Sequence, residues 1–171
     1  ATVEKARSAL RAKGLYGAVS VEQFDGRTLP YIENFVNLIV AEEAAGVSEE
    51  EMLRVLVPEG VAWVRRDGAW KKTVKPRPKE IDDWTHYFHN PSGNAVAKDK
   101  VVGPPRRMQW VGSPRWSRHH DRMASMSALV SGGGRMFYIM DEGSRVSIQL
   151  PSDWQLVARD AFNGTVLWKR P

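Results

Sequence analysis

Histidines and acidic residues are the side chains of this sequence that could bind a metal ion or transfer a proton. His86 and His89 are three residues apart, and His119, His120 and Asp121 follow downstream. A zinc site needs three or four such ligands that converge, and neither group has the spacing of a recognised metal motif. Aromatic residues surround the first pair, which favours packing as its role. We therefore predict no metal site.

Two further patterns could carry chemistry. The neighbouring carboxylates Asp82 and Asp83 suit general acid–base catalysis, although such a pair more often begins a solvated helix, so no catalytic residue is assigned. Cations alternate with tryptophans over residues 65–79 and 106–122, and such surfaces can bind single-stranded nucleic acid. Because Lys/Arg runs in linkers are usually solvated, an acidic protein surface is the partner that we favour over nucleic acid.

Helical and strand-like patterns alternate in the first third of the chain. Residues 35–41 form a near-continuous apolar run, typical of a strand buried on both faces of a parallel sheet. Ser48, followed three residues later by Glu51, predicts a capped helix, and the run Pro58-Glu59-Gly60 predicts its end. The alternation favours α/β layering with parallel strands. The predicted elements are a helix over 2–13, a strand over 17–21, a strand over 35–41, a helix over 48–56 and a strand over 61–64.

The pattern changes after residue 70. Residues 71–80 contain two prolines and five cations, which predicts an extended linker. Beyond residue 105 the sequence is strand-like, with turn residues at Gly132-Gly133-Gly134 and Phe162-Asn163-Gly164 because glycine and asparagine accept positive φ. The predicted strands cover 108–111, 127–131, 135–140, 156–160 and 165–168.

Composition separates the same two regions. Residues 1–60 hold 6 Lys/Arg and 10 Asp/Glu, whereas residues 61–171 hold 19 and 10 together with all seven tryptophans. This break predicts two modules of different type. The chain has no cysteine, which excludes disulfides and cysteine nucleophiles, and no apolar run is long enough for a membrane span. Its first residue, Ala1, predicts a processed product or a fragment, and the compartment is not indicated.

Three motifs in the first module occur in a familiar order. They are D-G-R-T-L-P-Y at 25–31, E-N-F-V-N-L-I-V at 33–40 and E-M-L-R-V-L-V-P-E-G at 51–60. Together they resemble segments of class I S-adenosylmethionine-dependent methyltransferases, over about residues 1–66. Asn37 stands where that family usually has an acid, and Glu59 stands where it has its first glycine.

The resemblance implies a Rossmann-like sheet with S-adenosylmethionine at the carboxyl ends of its strands. Asp25 would accept a hydrogen bond from the adenine amino group, and Gly26 would allow close approach of the backbone. The glycine-rich loop of the family would precede Val3, where this chain begins. We therefore expect the cofactor and methyl transfer in a longer parent protein, and no catalysis by this chain alone.

The second module ends in A-R-D-A-F-N-G-T-V-L-W at 158–168. This run is similar to the A-x-D-A-x-[TN]-G-x-x-x-W signature of quinoprotein-type (PQQ-like) β-propeller repeats, and residues 127–143 resemble the hairpin that precedes it, so that the likeness covers about 106–171. It implies a tight hairpin at the asparagine and glycine and a tryptophan that docks between adjacent blades. One blade does not support binding of pyrroloquinoline quinone. The residues to which it gives structural roles are Ala158, Asp160, Ala161, Asn163, Gly164 and Trp168.

The order of the two modules resembles that of planctomycete-type fusion proteins. We predict an α/β + β fold, in which a partial Rossmann-like methyltransferase sheet (1–69) is followed by a basic and aromatic linker (70–105) and one antiparallel propeller blade (106–171). The expected function is that of a junction fragment, a non-catalytic binding or scaffold module whose partners are the missing blades and the N-terminal Rossmann half of its own chain. The alternative is methyl transfer to an unknown acceptor by the full-length parent.

Overall fold

The computed structural model of this chain describes residues 2–43, 46–100, 108–114, 118, 126–147 and 149–171. In these residues the protein is a mixed α/β structure made mostly of sheet, with few helices. The elements are α1 (Thr2–Ala12), β1 (Val36–Ala41), α2 (Glu49–Val55), β2 (Leu56–Arg66), β3 (Ala69–Val74), β4 (Met126–Gly132), β5 (Arg135–Asp141), β6 (Trp154–Asp160) and β7 (Val166–Arg170).

The first sheet has the strand order β1-β2-β3. β1 and β2 are parallel, as the sequence predicts, and β3 returns antiparallel to β2. α2 packs against one face, where a small core forms around the fully buried Leu56. The helix begins as predicted, because the Ser48 hydroxyl accepts a hydrogen bond from the backbone N–H of Glu51 at 3.1 Å.

The prediction that β1 is buried on both faces is wrong for the described residues. Leu38 and Val40 are 57% and 62% exposed, because the described helix α2 covers the opposite face only. The helix ends at Val55, before the run at 58–60, as predicted, but β2 begins at Leu56 and continues through that run, so the predicted strand start at residue 61 is wrong. The register with β1 is irregular there, and Glu59 has φ 68°. The backbone of Asn37 lies close to Gly60, since a Cβ atom at Gly60 would be 3.2 Å from the carbonyl oxygen of Asn37.

Two further element predictions are corrected. Residues 17–21 form no strand, because the glycine at 17 turns the chain and leaves only an isolated bridge between Tyr16 and Val19. The linker predicted from residue 70 begins instead with β3, whose residues pair with β2 from Val61↔Val74 to Arg66↔Ala69. Positively charged lysines on such an edge strand are compatible with sheet pairing and protect the edge from other chains.

The second sheet is an antiparallel meander with the order β4-β5-β6-β7. All four strands match predicted ones within a few residues. The prediction of a strand over 108–111 is wrong, because these residues have no ladder partner within the described ranges. Gln109 and Trp110 instead donate side-chain hydrogen bonds to the carbonyl oxygens of Phe162 and Ala161. The described helices have 11 and 7 residues, and neither is long and apolar enough to cross a membrane.

Candidate functional site

Asp25 and Gly26, the predicted adenine contacts, form an exposed turn. The Oδ1 atom of Asp25 accepts hydrogen bonds from the backbone N–H groups of Arg27 and Thr28, both at 2.8 Å. These hydrogen bonds hold the pKa of the Asp25 carboxyl below its ordinary value, and the bond from Thr28 has the largest effect. Gly26 has φ 77°, a conformation that favours glycine. The aspartate therefore stabilises its own turn.

An ion pair on α2 fixes the loop that follows this turn. Glu51 accepts hydrogen bonds from the backbone N–H of Leu29 at 2.8 Å and from Arg54 Nε at 2.7 Å. Arg54 in turn donates to the carbonyl oxygen of Tyr31 at 2.9 Å. The hydrogen bonds from Arg54 are the main reason why the pKa of Glu51 is lowered to about 2. These hydrogen bonds connect the loop at residues 29–31 to α2.

The Asp25 turn lies at the carboxyl-end edge of the parallel strands. A Cβ at Gly46, in the loop between β1 and α2, would lie 3.0 Å from the carbonyl oxygen of Gly26. The loop after a parallel strand and the N-terminus of the next helix are the place where open α/β sheets bind ligands. Asp25 and Gly26 therefore lie together at an edge where a ligand could be held.

Asp160 links the two sheets. Its Oδ1 atom accepts hydrogen bonds from the backbone N–H groups of Phe162 (2.8 Å) and Asn163 (3.1 Å), and its Oδ2 atom accepts one from Asn37 Nδ2 at 2.7 Å. Asn163 completes the link, because its Nδ2 atom donates to the carbonyl oxygen of Phe35 at 3.0 Å. Sequence reasoning missed Asn37 as a structural contact, since no periodicity connects residues so far apart in the chain.

Gly164 and Ala161 contact Trp110, in the segment that precedes the second sheet. Gly164 has φ 72°, and a side chain there would overlap the indole ring of Trp110. The indole N–H of Trp110 donates to the carbonyl oxygen of Ala161 at 3.3 Å, while the backbone N–H of Ala161 donates to the carbonyl oxygen of Gly134 at 2.9 Å. Ala161 and Gly164 therefore connect the turn between β6 and β7 to Trp110, and Ala161 also connects it to the turn between β4 and β5.

Ala158 and Trp168 are paired across β6 and β7. Ala158 is fully buried, whereas the indole ring of Trp168 is 40% exposed and lies 6.1 Å from the ring of Phe137. Ile139 and Leu156, a directly opposed pair on the same face, are about equally exposed, at 40% and 41%. In the described part of the chain, these apolar side chains therefore stay partly exposed on one face of the sheet.

The two histidines at 86 and 89 do not form a metal site with any other described residue. His89 is buried, and its Nε2 atom lies 2.6 Å from Asp82 Oδ2. The pKa of the Asp82 carboxyl is lowered, mainly by a hydrogen bond from the backbone N–H of Lys98 and next by the one from His89. Asp83 pairs with Arg77 at 2.6 Å, so that the two predicted carboxylates have separate structural partners. No group of three or more His, Cys, Asp or Glu that could hold a metal ion occurs within the described ranges.

Most of the basic cluster that was weighed for nucleic acid falls outside the described residues. Arg118, which is described, forms an ion pair with Asp141 at 3.0 Å, and both side chains are 1% exposed. Burial raises the pKa of Asp141, but the N–H groups of Asp153 and Gly143 together with Arg118 outweigh it, and the pKa is lowered. The residues of the earlier predictions that are not described are Arg106, Arg107, Arg115, Trp116, His119, His120, Asp121 and Arg122.

Comparison of the chain with known proteins finds no matching family model, no matching curated protein and no matching solved structure. The likeness of its motifs to methyltransferases and to propeller repeats therefore stays a prediction.

Proposed function

We propose that this chain is a non-catalytic binding module, in which a methyltransferase-like α/β unit carries one blade of the quinoprotein-like propeller type. In a propeller each blade is covered on both faces by its neighbours. The partner that fits is accordingly a second apolar four-stranded sheet, which would lie on the open face of the blade.

The carrying observation is a row of exposed apolar side chains on one face of the second sheet, beside the buried residues Ala158 and Asp160. Tyr138 and Val157 on the other face are buried, at 7% and 0% exposure, and residues between 110 and 114 lie against that face, although Leu129 at its edge is 39% exposed. The opposite face presents Ile139, Leu156 and Trp168 to solvent. Contiguous apolar surface of this kind marks an interaction site in soluble proteins.

A second copy of the chain offers such a sheet, so that self-association tests the proposal. Sedimentation velocity at up to about 100 µM should show a dimer, because interfaces of about 1,600 Å² bind with micromolar affinity or better. The variant Ile139→Lys/Leu156→Lys should be monomeric, since it places two charges in the dry centre of the interface.

The matched control is Leu38→Lys, on the exposed face of the first sheet. It should leave the dimer intact. A wild-type chain that stays monomeric, or a dimer that only Leu38→Lys dissociates, would contradict the assignment of the blade face.

The second candidate function is binding of S-adenosylmethionine, by a parent methyltransferase, at the Asp25 turn. Two observations favour it. The turn lies beside the loop that follows β1, at the edge where open α/β sheets in general bind ligands, and Glu59 adopts φ 68° at the position where the family has glycine. Both hydrogen bonds to Asp25 use Oδ1, so that Oδ2 would be the atom that accepts from the adenine amine.

Thermal unfolding with and without S-adenosylmethionine tests this candidate. Ligand at about 100 times its dissociation constant adds about 2.7 kcal/mol to the free energy of unfolding. Asp25→Asn keeps an oxygen for Arg27 and Thr28 but replaces the other oxygen with a donor, so it should preserve the fold and abolish the shift. An unshifted wild-type transition would reject the candidate.

A further inference from the structure

Arg159 is a buried cation that faces only neutral partners. Its side chain donates from Nε to the Tyr138 hydroxyl at 2.6 Å, from Nη1 to the carbonyl oxygen of Gly164 at 2.7 Å and from Nη2 to that of Ser113. The residue is 4% exposed, and no carboxylate in the described part of the chain forms an ion pair with it. Burying a charge without an opposite charge is costly, so the guanidinium is suited to an anion.

The guanidinium lies at the wall of a cavity of about 180 Å³. Its carbon is 6.0 Å from the centre of the Trp110 ring and 5.9 Å from that of Tyr138. An apolar protein cavity of about 150 Å³ holds one benzene molecule, so the volume suffices for one aromatic ring and a small substituent. The apolar side chains around it are Trp110, Met126, Leu129, Met136, Tyr138 and Met140.

We propose that this cavity binds a small aromatic carboxylate. A guanidinium has five N–H donors in a planar fork that matches a carboxylate, and the three hydrogen bonds of Arg159 leave two donors for the ligand. The ring would lie among the methionine thioethers, which make favourable contacts with aromatic edges. One cation within an apolar wall selects a monoanion with an apolar body over a phosphate or a larger polyanion.

Isothermal titration of the full chain with phenylacetate and with phenylacetamide tests the charge requirement. The two probes have nearly the same shape, and only the first carries an anion. We expect phenylacetate to bind at least about tenfold more tightly, because a hydrogen bond to an ionised group is stronger than one between neutral groups. Equal affinities, or no binding of phenylacetate, would overturn the proposal.

Variants locate the site. Arg159→Gln should remove the preference for phenylacetate, but it also loses hydrogen bonds to Gly164 and Ser113, so circular dichroism must show that it is folded. Leu129→Trp provides a second measurement, since a large ring at this 39% exposed position would fill the cavity and abolish binding.

The matched control is Leu38→Trp, which lies on the exposed face of the first sheet, away from the cavity, and is 57% exposed. It should bind phenylacetate like the wild type. Undiminished binding by Leu129→Trp, or an equal loss in both tryptophan variants, would contradict the location, whether or not Arg159→Gln folds.

Discussion

Replacement of Glu51 by glutamine tests how the loop that carries Asp25 is held. The glutamine keeps an oxygen for the Leu29 N–H but loses the charge that pairs with Arg54 at 2.7 Å. The hydrogen bonds from Arg54 and, less, from Leu29 lower the pKa of Glu51 from 4.5 to about 2. Since one pKa unit corresponds to about 1.4 kcal/mol, the ion pair with Arg54 contributes less than about 3 kcal/mol. Arg54 is 37% exposed, and because water screens the pair we expect a loss of about 1–2 kcal/mol.

Urea unfolding followed by far-ultraviolet circular dichroism measures this loss. With an m-value of about 2 kcal/mol/M, the midpoint at pH 7 should fall by about 0.5–1 M. A carboxyl whose pKa is lowered on folding stabilises the protein above its ordinary pKa and loses that contribution as the pH falls towards its folded value. The difference in urea midpoint between wild type and Glu51→Gln should therefore be less than half as large at pH 3 as at pH 7.

The matched control is Glu50→Gln, in the same helical turn, whose side chain is exposed and forms no ion pair with the described residues. It should change the midpoint little at either pH. A gap that does not depend on pH, or an equal loss in both variants, would refute the reasoning.

Two further predictions concern the turn between β6 and β7. Gly164→Ala should lower the free energy of unfolding by about 2–4 kcal/mol, because it combines left-handed strain with overlap of the Trp110 ring. Gly133→Ala has comparable strain at φ 57° but open space around it, so urea unfolding should show a smaller loss, and equal losses would mean that the Trp110 contact is unimportant. Asp160→Asn should cost about 1–2 kcal/mol, since it removes the acceptor of Asn37, and a double-mutant cycle with Asn37→Ala should then give a coupling energy above about 0.5 kcal/mol, whereas additive effects would contradict the link.

The elements that the sequence predicted well are those with strong local signals. The helix after Ser48 is capped by a hydrogen bond within its own first turn. The strands on either side of Gly133 and Gly164 end at these glycines, which adopt left-handed conformations. Such signals depend on a few neighbouring residues, so they can be read without knowledge of the fold.

The errors arose where a distant segment decides the conformation. β3 lies within a run that has the composition of a linker, and it is a strand because Trp63, Val64 and their neighbours on β2 offer it a ladder. The cavity at Arg159 was missed for the same reason. Its partner Tyr138 is 21 residues away and Ser113 is 46 residues away, and neither distance leaves a periodic pattern in the sequence.

The two motif aspartates have the same local role, which limits what either motif can say about function. Asp25 and Asp160 each use Oδ1 to accept the N–H groups two and three residues later. An aspartate before a turn favours this arrangement in any protein, so its presence does not by itself indicate a ligand. The two sites differ in the second oxygen, which in Asp160 accepts from Asn37 and in Asp25 carries neither turn bond. Asp160 therefore uses both oxygens in contacts within the chain, whereas Oδ2 of Asp25 takes no part in the two turn bonds, and the asparagine substitution that spares Oδ1 is the change that separates the two roles of Asp25.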